Sequence, residues 1–294
     1  IPGIPAILTG RSARLGWAVT SSYLDDQDLF IEKLNPENPE QYQTPDGFKA
    51  FETRNSIIQI KDHDPVTMTL RWTDNGPVLP GTHYDLGTVT LPNRVLMSPL
   101  RWTENGPVLP GSHYNLAEVT PAGHVAALNW TALSPEDTTM SSAIGLMRAQ
   151  SVQDAIDLSR LYIAPSQNLT LVDQSTIAMR TIGAMPRRDA RHESEGRMPA
   201  RGWLPENRWQ GTLPFAANPE FVAPSGGILG NTNNKVVDRP FPMHVSHLWG
   251  DTQRVHRWRR LMQGREVHTR ESFIEAQLDT VSFTARSLLP LIGA

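Results

Sequence analysis

The side chains best able to do chemistry in this chain are acids, amides and imidazoles, and they sit in a few short stretches. Asp25, Asp26 and Asp28 crowd a short loop after an apolar run. Hard oxygen ligands packed this closely either hold Ca²⁺ or form a solvated acidic turn, and the turn is the default. His244 and His247 have i, i+3 spacing but no acidic neighbour in sequence, so they read as surface or structural histidines rather than a metal pair. Asn168 stands between a helical stretch and an apolar strand-like run, where an amide can project into a cleft; Asn231, Asn233 and Asn234 cluster in GGILGNTNN. Asparagines at such junctions are usually turn residues. The run RVHRWRR, Arg254 to Arg260, reads as the solvated face of an amphipathic helix. No phosphate loop, dinucleotide glycine pattern or His-Glu-x-x-His motif is present.

Composition narrows the classes further. With 27 Lys plus Arg against 30 Asp plus Glu, the net charge is −3, so no strong positive field marks a nucleic acid partner. A chain of 294 residues, 39% apolar and 19% charged, is long enough for a sizeable core. No apolar window reaches membrane-spanning length, and the first residues lack the charged lead-in of a targeting signal, so neither role is expected. Zero cysteines exclude disulfides, thiolate metal sites and a cysteine nucleophile.

The elements that must position these residues read as short strands followed by late helices, an α+β class. Strands are expected at Ala6 to Leu8, Gly16 to Thr20, Ser56 to Lys61, Thr67 to Trp72 and Val125 to Trp130, punctuated by 24 Pro and 21 Gly. Leu70 to Thr90 and Leu100 to Thr120 are near-duplicates, agreeing at 16 of 21 positions, and each predicts a β-hairpin with Asn-Gly-Pro at its turn. Helices are expected from Ser151 to Tyr162, from Asp251 to Met262, and from Arg270 to about Leu289. The first carries Ser151 and Asp154 as a capping box. The last carries Thr269 as cap, Phe273, Ile274, Leu278, Val281 and Ala285 as a core-facing stripe, and Pro290 as stop. Pro186 to Pro224 reads as a long wrapping loop.

Taken in order, several strings resemble the large (β) chain of the penicillin acylase, or penicillin amidase, family of N-terminal-nucleophile amide hydrolases. The opening PGIPAILTGRSARLGWAVTSSYLDDQDLFIEKLNP is the most specific match, followed by ENGPVLPG, AALNWTAL, PSQNLTLVD with IGAMPRR, WQGTLPF, NPEFVAPSGGILGNTNN and LWGDTQRVHRWRRLM. Asn105 stands where the family commonly has His, and the hairpin that the family holds once is doubled here.

The resemblance implies part of an αββα sandwich with a β-hairpin insertion and long Pro/Gly-rich loops. Residues 1–294 would be a fragment of the large-chain hydrolase domain, with core strands in about 1–61 and 125–185, the doubled hairpin in 70–120, and loops and helices in 186–294. It implies hydrolysis of an acyl-amide bond of the penicillin, cephalosporin or acyl-homoserine-lactone type by a serine whose own α-amine is the base. Ile1 cannot be that nucleophile, so the nucleophile, the small (α) chain and the rest of the large chain would lie outside this sequence, and the fragment alone would be inactive. Carried over by position, the oxyanion donors are the backbone N–H of Ser21 and the side-chain amide of Asn168. The arginine that organises the site is Arg188, with Arg187 as its neighbouring alternative. A calcium loop would comprise Asp25, the Gln27 carbonyl and Asp28, with Asp173. The partners implied are a small-molecule amide and the missing chains, with neither nucleic acid nor membrane, in the periplasm. The rival reading is a non-catalytic module whose doubled hairpins present Trp72 and Trp102 to a ligand.

Overall fold

A computed structural model describes residues 3–79, 90–91, 94–95, 101–103, 106–108, 120–250 and 252–293. In chain order the strands begin with β1 (Gly10–Arg11), β2 (Gly16–Ser21), β3 (Gln27–Asn35), β4 (Asn38–Thr44), β5 (Gly47–Ala50), β6 (Glu52–Ile58), β7 (Val66–Thr73) and β8 (Gly76–Leu79). Next come β9 (Thr90–Leu91), β10 (Arg94–Val95), β11 (Arg101–Thr103), β12 (Gly106–Val108), β13 (His124–Trp130), β14 (Gln167–Val172), β15 (Ile177–Ile182), β16 (Ala200–Arg201) and β17 (Glu220–Val222). The helices are α1 (Thr139–Leu146), α2 (Val152–Leu158), α3 (Gln253–Gln263), α4 (Arg270–Gln277) and α5 (Phe283–Ile292). None is long and apolar enough to cross a membrane. Contacts divide the chain into two units: residues 1–25, 136–185 and 213–294, and residues 26–135 with 186–212.

The first unit is built on an antiparallel sheet of order β1-β2-β14-β15-β17. Strand β14, QNLTLV, alternates: Leu169 and Leu171 are fully buried in a cluster with Trp17, Leu146, Val152, Ala155, Ile156, Ala178 and Ile182, so α1 and α2 cover that face. Asn168 and Thr170 necessarily point to the other face. Helix α2 starts where expected, because the Ser151 side chain accepts from the Asp154 N–H. The Asp154 carboxylate then takes the Gln150 N–H, so the second arm of the expected box is displaced by one residue.

The second unit holds a sheet of order β5-β4-β3-β13-β8-β7-β6, with β16 parallel on β3. The first copy of the duplicated motif is the β7–β8 hairpin, with Thr73 opposite Gly76 and Trp72 opposite Pro77. Gly76 has φ +116°, and a Cβ there would lie 2.0 Å from the Leu128 carbonyl oxygen, so only glycine fits this turn. In the second copy β11 and β12 pair in the same register, Thr103 opposite Gly106. The rest of that copy, Asn105 included, lies outside the described residues.

Several expectations are corrected. Ala6 to Leu8 is irregular, tied instead by the Trp17 indole N–H donating to the Ile7 carbonyl, and the first strand begins at Gly10. Asp28 is not in a loop but on β3, a strand the propensity reading missed. The stretch from Arg270 to Leu289 forms two helices, α4 and α5. The Asp279 carboxylate is held by Arg257 and accepts the Val281 N–H, and Ser282 then caps a new helix through the Ala285 N–H. Pro290 lies within the last turns of α5 rather than ending it. The stripe meant for the core is open in this chain: Phe273 is 55% and Leu278 73% exposed.

Candidate active site

Strand register sets the amide cluster of the first unit. Asn168 is paired with Thr20 on β2 and with Thr181 on β15, so the three side chains share the sheet face opposite the helices. Asn168 is fully buried. Its Oδ1 accepts from the Thr181 hydroxyl at 2.8 Å, which fixes the amide and turns Nδ2 away from the sheet. Nδ2 donates to Asn231 Oδ1 at 3.2 Å, and the same oxygen accepts from the Thr20 hydroxyl at 3.0 Å and from the Asn233 N–H at 2.8 Å. Three donors from separate segments thus meet at one oxygen. The second Nδ2 hydrogen of Asn168 has no acceptor among the described residues, leaving a directed donor on a buried amide.

Ser21 is the exposed last residue of β2, paired with Gln167, and so lies diagonally across the ladder from Asn168. Its carbonyl accepts from Asn233 Nδ2 at 2.9 Å, and Asn233 Oδ1 in turn accepts from Arg254. Asn233 has φ +66°, a left-handed conformation that asparagine tolerates better than most residues. The GNTNN segment, read from sequence as turn residues, therefore joins the Asn168 amide to the end of β2. What sequence reading missed here is Thr20 and Thr181, which had no signal beyond strand alternation.

In the second unit Arg188 and Asp28 form a buried ion pair, each side chain 2% exposed, with Nε to Oδ2 at 2.7 Å. The Trp209 indole N–H donates to the same oxygen, and the guanidinium lies over the Trp209 ring at 5.7 Å. Arg187, the alternative by one position, is exposed and donates to the Gln210 carbonyl. Asp28 Oδ1 is buried without a hydrogen-bond partner among the described residues. Nearby on β3, Glu32 is fully buried, accepting from Thr73 at 2.9 Å and from Asn75 Nδ2 at 2.8 Å, both in the first hairpin copy. Burial pushes the Glu32 carboxyl above its usual range, against the lowering effect of those two hydrogen bonds. Gly202 packs so close that a Cβ there would meet Glu32 Oε2 at 2.1 Å.

The residues implied as calcium ligands are engaged otherwise. Asp173 Oδ2 accepts from the Val152 N–H, and its Oδ1 accepts from the N–H groups of Ser175 and Thr176 and from the Ser175 hydroxyl. Those bonds, the Val152 N–H first, draw its carboxyl down to about 2. Asp25 Oδ2 bonds His244 at 2.6 Å, and Gln27 is the exposed first residue of β3. Ca²⁺ takes six to eight oxygens. These four residues do not supply such a set by themselves.

His244 and His247 differ from expectation. The acidic neighbour absent from the local sequence is Asp25, and the ligand atoms of Asp25, His244 and His247 all lie within 4.8 Å of one another.

Comparison with known proteins covers the whole of this chain. The family model described as penicillin amidase matches residues 1–294. The chain is 28% identical to acyl-homoserine lactone acylase QuiP of Pseudomonas fluorescens over 295 residues, covering 100% of this chain and 32% of that protein. It is 25% identical to penicillin G acylase of Escherichia coli over 294 residues, covering 99% of this chain and 30% of that protein. Among solved structures it resembles a thermostable penicillin G acylase from Alcaligenes faecalis, with a TM-score of 0.69 at 19% identity over 94% of this chain and 42% of that one. The chain thus spans about a third of the length of the curated relatives it matches.

Proposed function

Since the chain belongs to the penicillin amidase family, we propose that it forms part of the large chain of an acylase that hydrolyses the amide between an acyl group and an amine. Penicillins, cephalosporins and acyl-homoserine lactones are the substrate types proposed; the relatives named above, an acyl-homoserine lactone acylase and a penicillin G acylase, support the last and the first. The first-unit sheet with α1 and α2 on one face is proposed as one β and one α layer of an αββα sandwich.

The mechanism proposed is acyl transfer to a nucleophile outside these 294 residues. As the carbonyl carbon is attacked, its oxygen becomes anionic and needs neutral donors already in place. The Asn168 amide and the Ser21 N–H fill that role. The observation carrying the proposal is the buried Asn168 amide, pinned through Oδ1 by Thr181 so that one Nδ2 hydrogen stays directed and unspent. A donor fixed before the reaction costs no reorganisation when the charge develops. Arg188, buried against Asp28 and Trp209, is proposed as the arginine that organises the site, in preference to exposed Arg187. A periplasmic location is proposed from the family resemblance, and cell fractionation reads it directly.

The test is hydrolysis of a chromogenic amide by the complete, processed protein. Asn168→Ala is expected to lower kcat by about 100- to 1,000-fold with little change in KM. Thr181→Val, which frees the amide to rotate, is expected to lower kcat less. An Asn168→Ala variant with unchanged kcat overturns the role. Trp72 is half-buried within a ladder, between Glu52 and Pro77, which speaks against its use as a stacking surface; the side chain of Trp102 lies outside what is described.

A further inference from the structure

We propose that Asp25, His244 and His247 form a binding site for a divalent transition ion of the zinc type, with two imidazole nitrogens and one carboxylate oxygen as ligands and a fourth position open to water. All three residues belong to the first unit. The proposal does not depend on the acylase reading, because it uses only the positions of these side chains.

The backbone brings them together. The Asp25 N–H donates to the Val245 carbonyl at 2.8 Å, so the end of the 22–25 segment is stitched between the two histidines. Val245 itself is buried with Leu24 and Met185, which anchors both segments in one apolar cluster. In His244-Val245-Ser246-His247 the two rings stack, with centroids 4.1 Å apart and planes 22° apart. His244 Nε2 lies 2.6 Å from Asp25 Oδ2.

Magnitudes fit a tetrahedral ion. Zinc sits about 2.0–2.2 Å from nitrogen and carboxylate oxygen, so tetrahedral ligand atoms are about 3.3 Å apart. The three ligand atoms here already lie within 4.8 Å of one another, and an ion held by both imidazoles requires the two stacked rings to turn out of parallel. Binding replaces the His244–Asp25 hydrogen bond with two metal bonds, the neutral imidazole keeping its one proton on the nitrogen that does not hold the ion. His244 Nδ1 is buried and has no partner among the described residues, a cost that a strong bond at the other nitrogen offsets. The Asp25 and His244 side chains are 16% and 4% exposed, while His247 is half-buried, leaving a path for the ion from solvent. The chemistry distinguishes this site from a calcium loop: imidazole suits zinc, copper and nickel, whereas calcium takes oxygen donors almost alone.

The experiment is calorimetric titration of the complete, chelator-treated protein with Zn²⁺ and, separately, with Ca²⁺. The expected result is one saturable Zn²⁺ site per chain. Co²⁺ in place of Zn²⁺ should give the visible absorption of a tetrahedral centre. His247→Ala, at the more exposed ligand, is expected to weaken Zn²⁺ by more than about 100-fold while far-UV circular dichroism stays unchanged. Asp25→Asn serves as a second variant with the same expected loss, should His247→Ala prove ill-folded. Four outcomes overturn the proposal: no saturable Zn²⁺ binding, only several weak sites, an isotherm unchanged in both variants, or a Ca²⁺ isotherm that Asp25→Asn abolishes while Zn²⁺ gives none. Failure of amide hydrolysis by a protein that binds Zn²⁺ as described would instead count against the acylase reading alone.

Discussion

Two buried acids in the second unit behave in opposite ways. Asp28 and Arg188 exchange charge in a site closed to water, where each ion is tolerable only beside the other. Asp28→Asn or Arg188→Met alone should lower unfolding free energy by about 3–5 kcal/mol in urea titrations, and Asp28→Leu with Arg188→Met should recover most of the loss. Equal losses in the double and single variants would sink the pairing argument. Glu32 forms no ion pair among the described residues, and burial holds its carboxyl above the usual range against the lowering effect of its hydrogen bonds and of the Arg208 charge. Its neutral form is favoured by the fold, so the full stability it permits is present below the unfolded glutamate range. That stability is lost as pH rises through the folded value, because the unfolded chain ionises first. Glu32→Gln should flatten this part of the stability–pH profile, leaving the two proteins most alike in acid; parallel profiles across the range would contradict the assignment.

At the scale of elements, α2 shows how caps fix a helix. Ser151 satisfies the Asp154 N–H, and Asp173, from the end of the β14 strand, satisfies the Val152 N–H at 2.9 Å. An anion there also favours the positive end of the helix. Ser151→Ala should cost about 1 kcal/mol. Asp173→Asn should remove a pH dependence whose sign is the reverse of Glu32: the Asp173 contribution is present above the ordinary aspartate range and lost as pH falls toward 2. Thermal melts of both variants between acid and neutral pH read these effects. The cap and stripe of α2 were legible because they lie within a dozen residues. The break between α4 and α5 was not, because it depends on Arg257 from another helix grasping Asp279.

For the molecule as a whole, the family match covers every residue of this chain but only about a third of its curated relatives' length. The apolar stripe of α4, together with Leu289, Leu291 and Ile292 on α5, is exposed here. The 294-residue chain alone is expected to turn over no chromogenic amide, and the complete protein is expected, on the proposed function, to do so. Turnover by the chain alone would place the nucleophile within these residues and overturn the roles assigned to Asn168 and Ser21.

The order of the sequence strings by itself determined the family, the α+β class, the cap of α2 and the hairpin at Trp72, since each is written in neighbouring residues or in a long ordered pattern. It also pointed to Asn168 and Arg188. Tertiary structure alone decided that Asn168 is fixed by Thr181 and meets Asn231, and that Asp28 rather than solvent faces Arg188. It also decided that an aspartate 219 residues away supplies the acid His244 lacked in sequence. The physical reason is the same in each case. A side chain's partner across a sheet is set by register and chain crossing, and neither leaves a mark in local spacing.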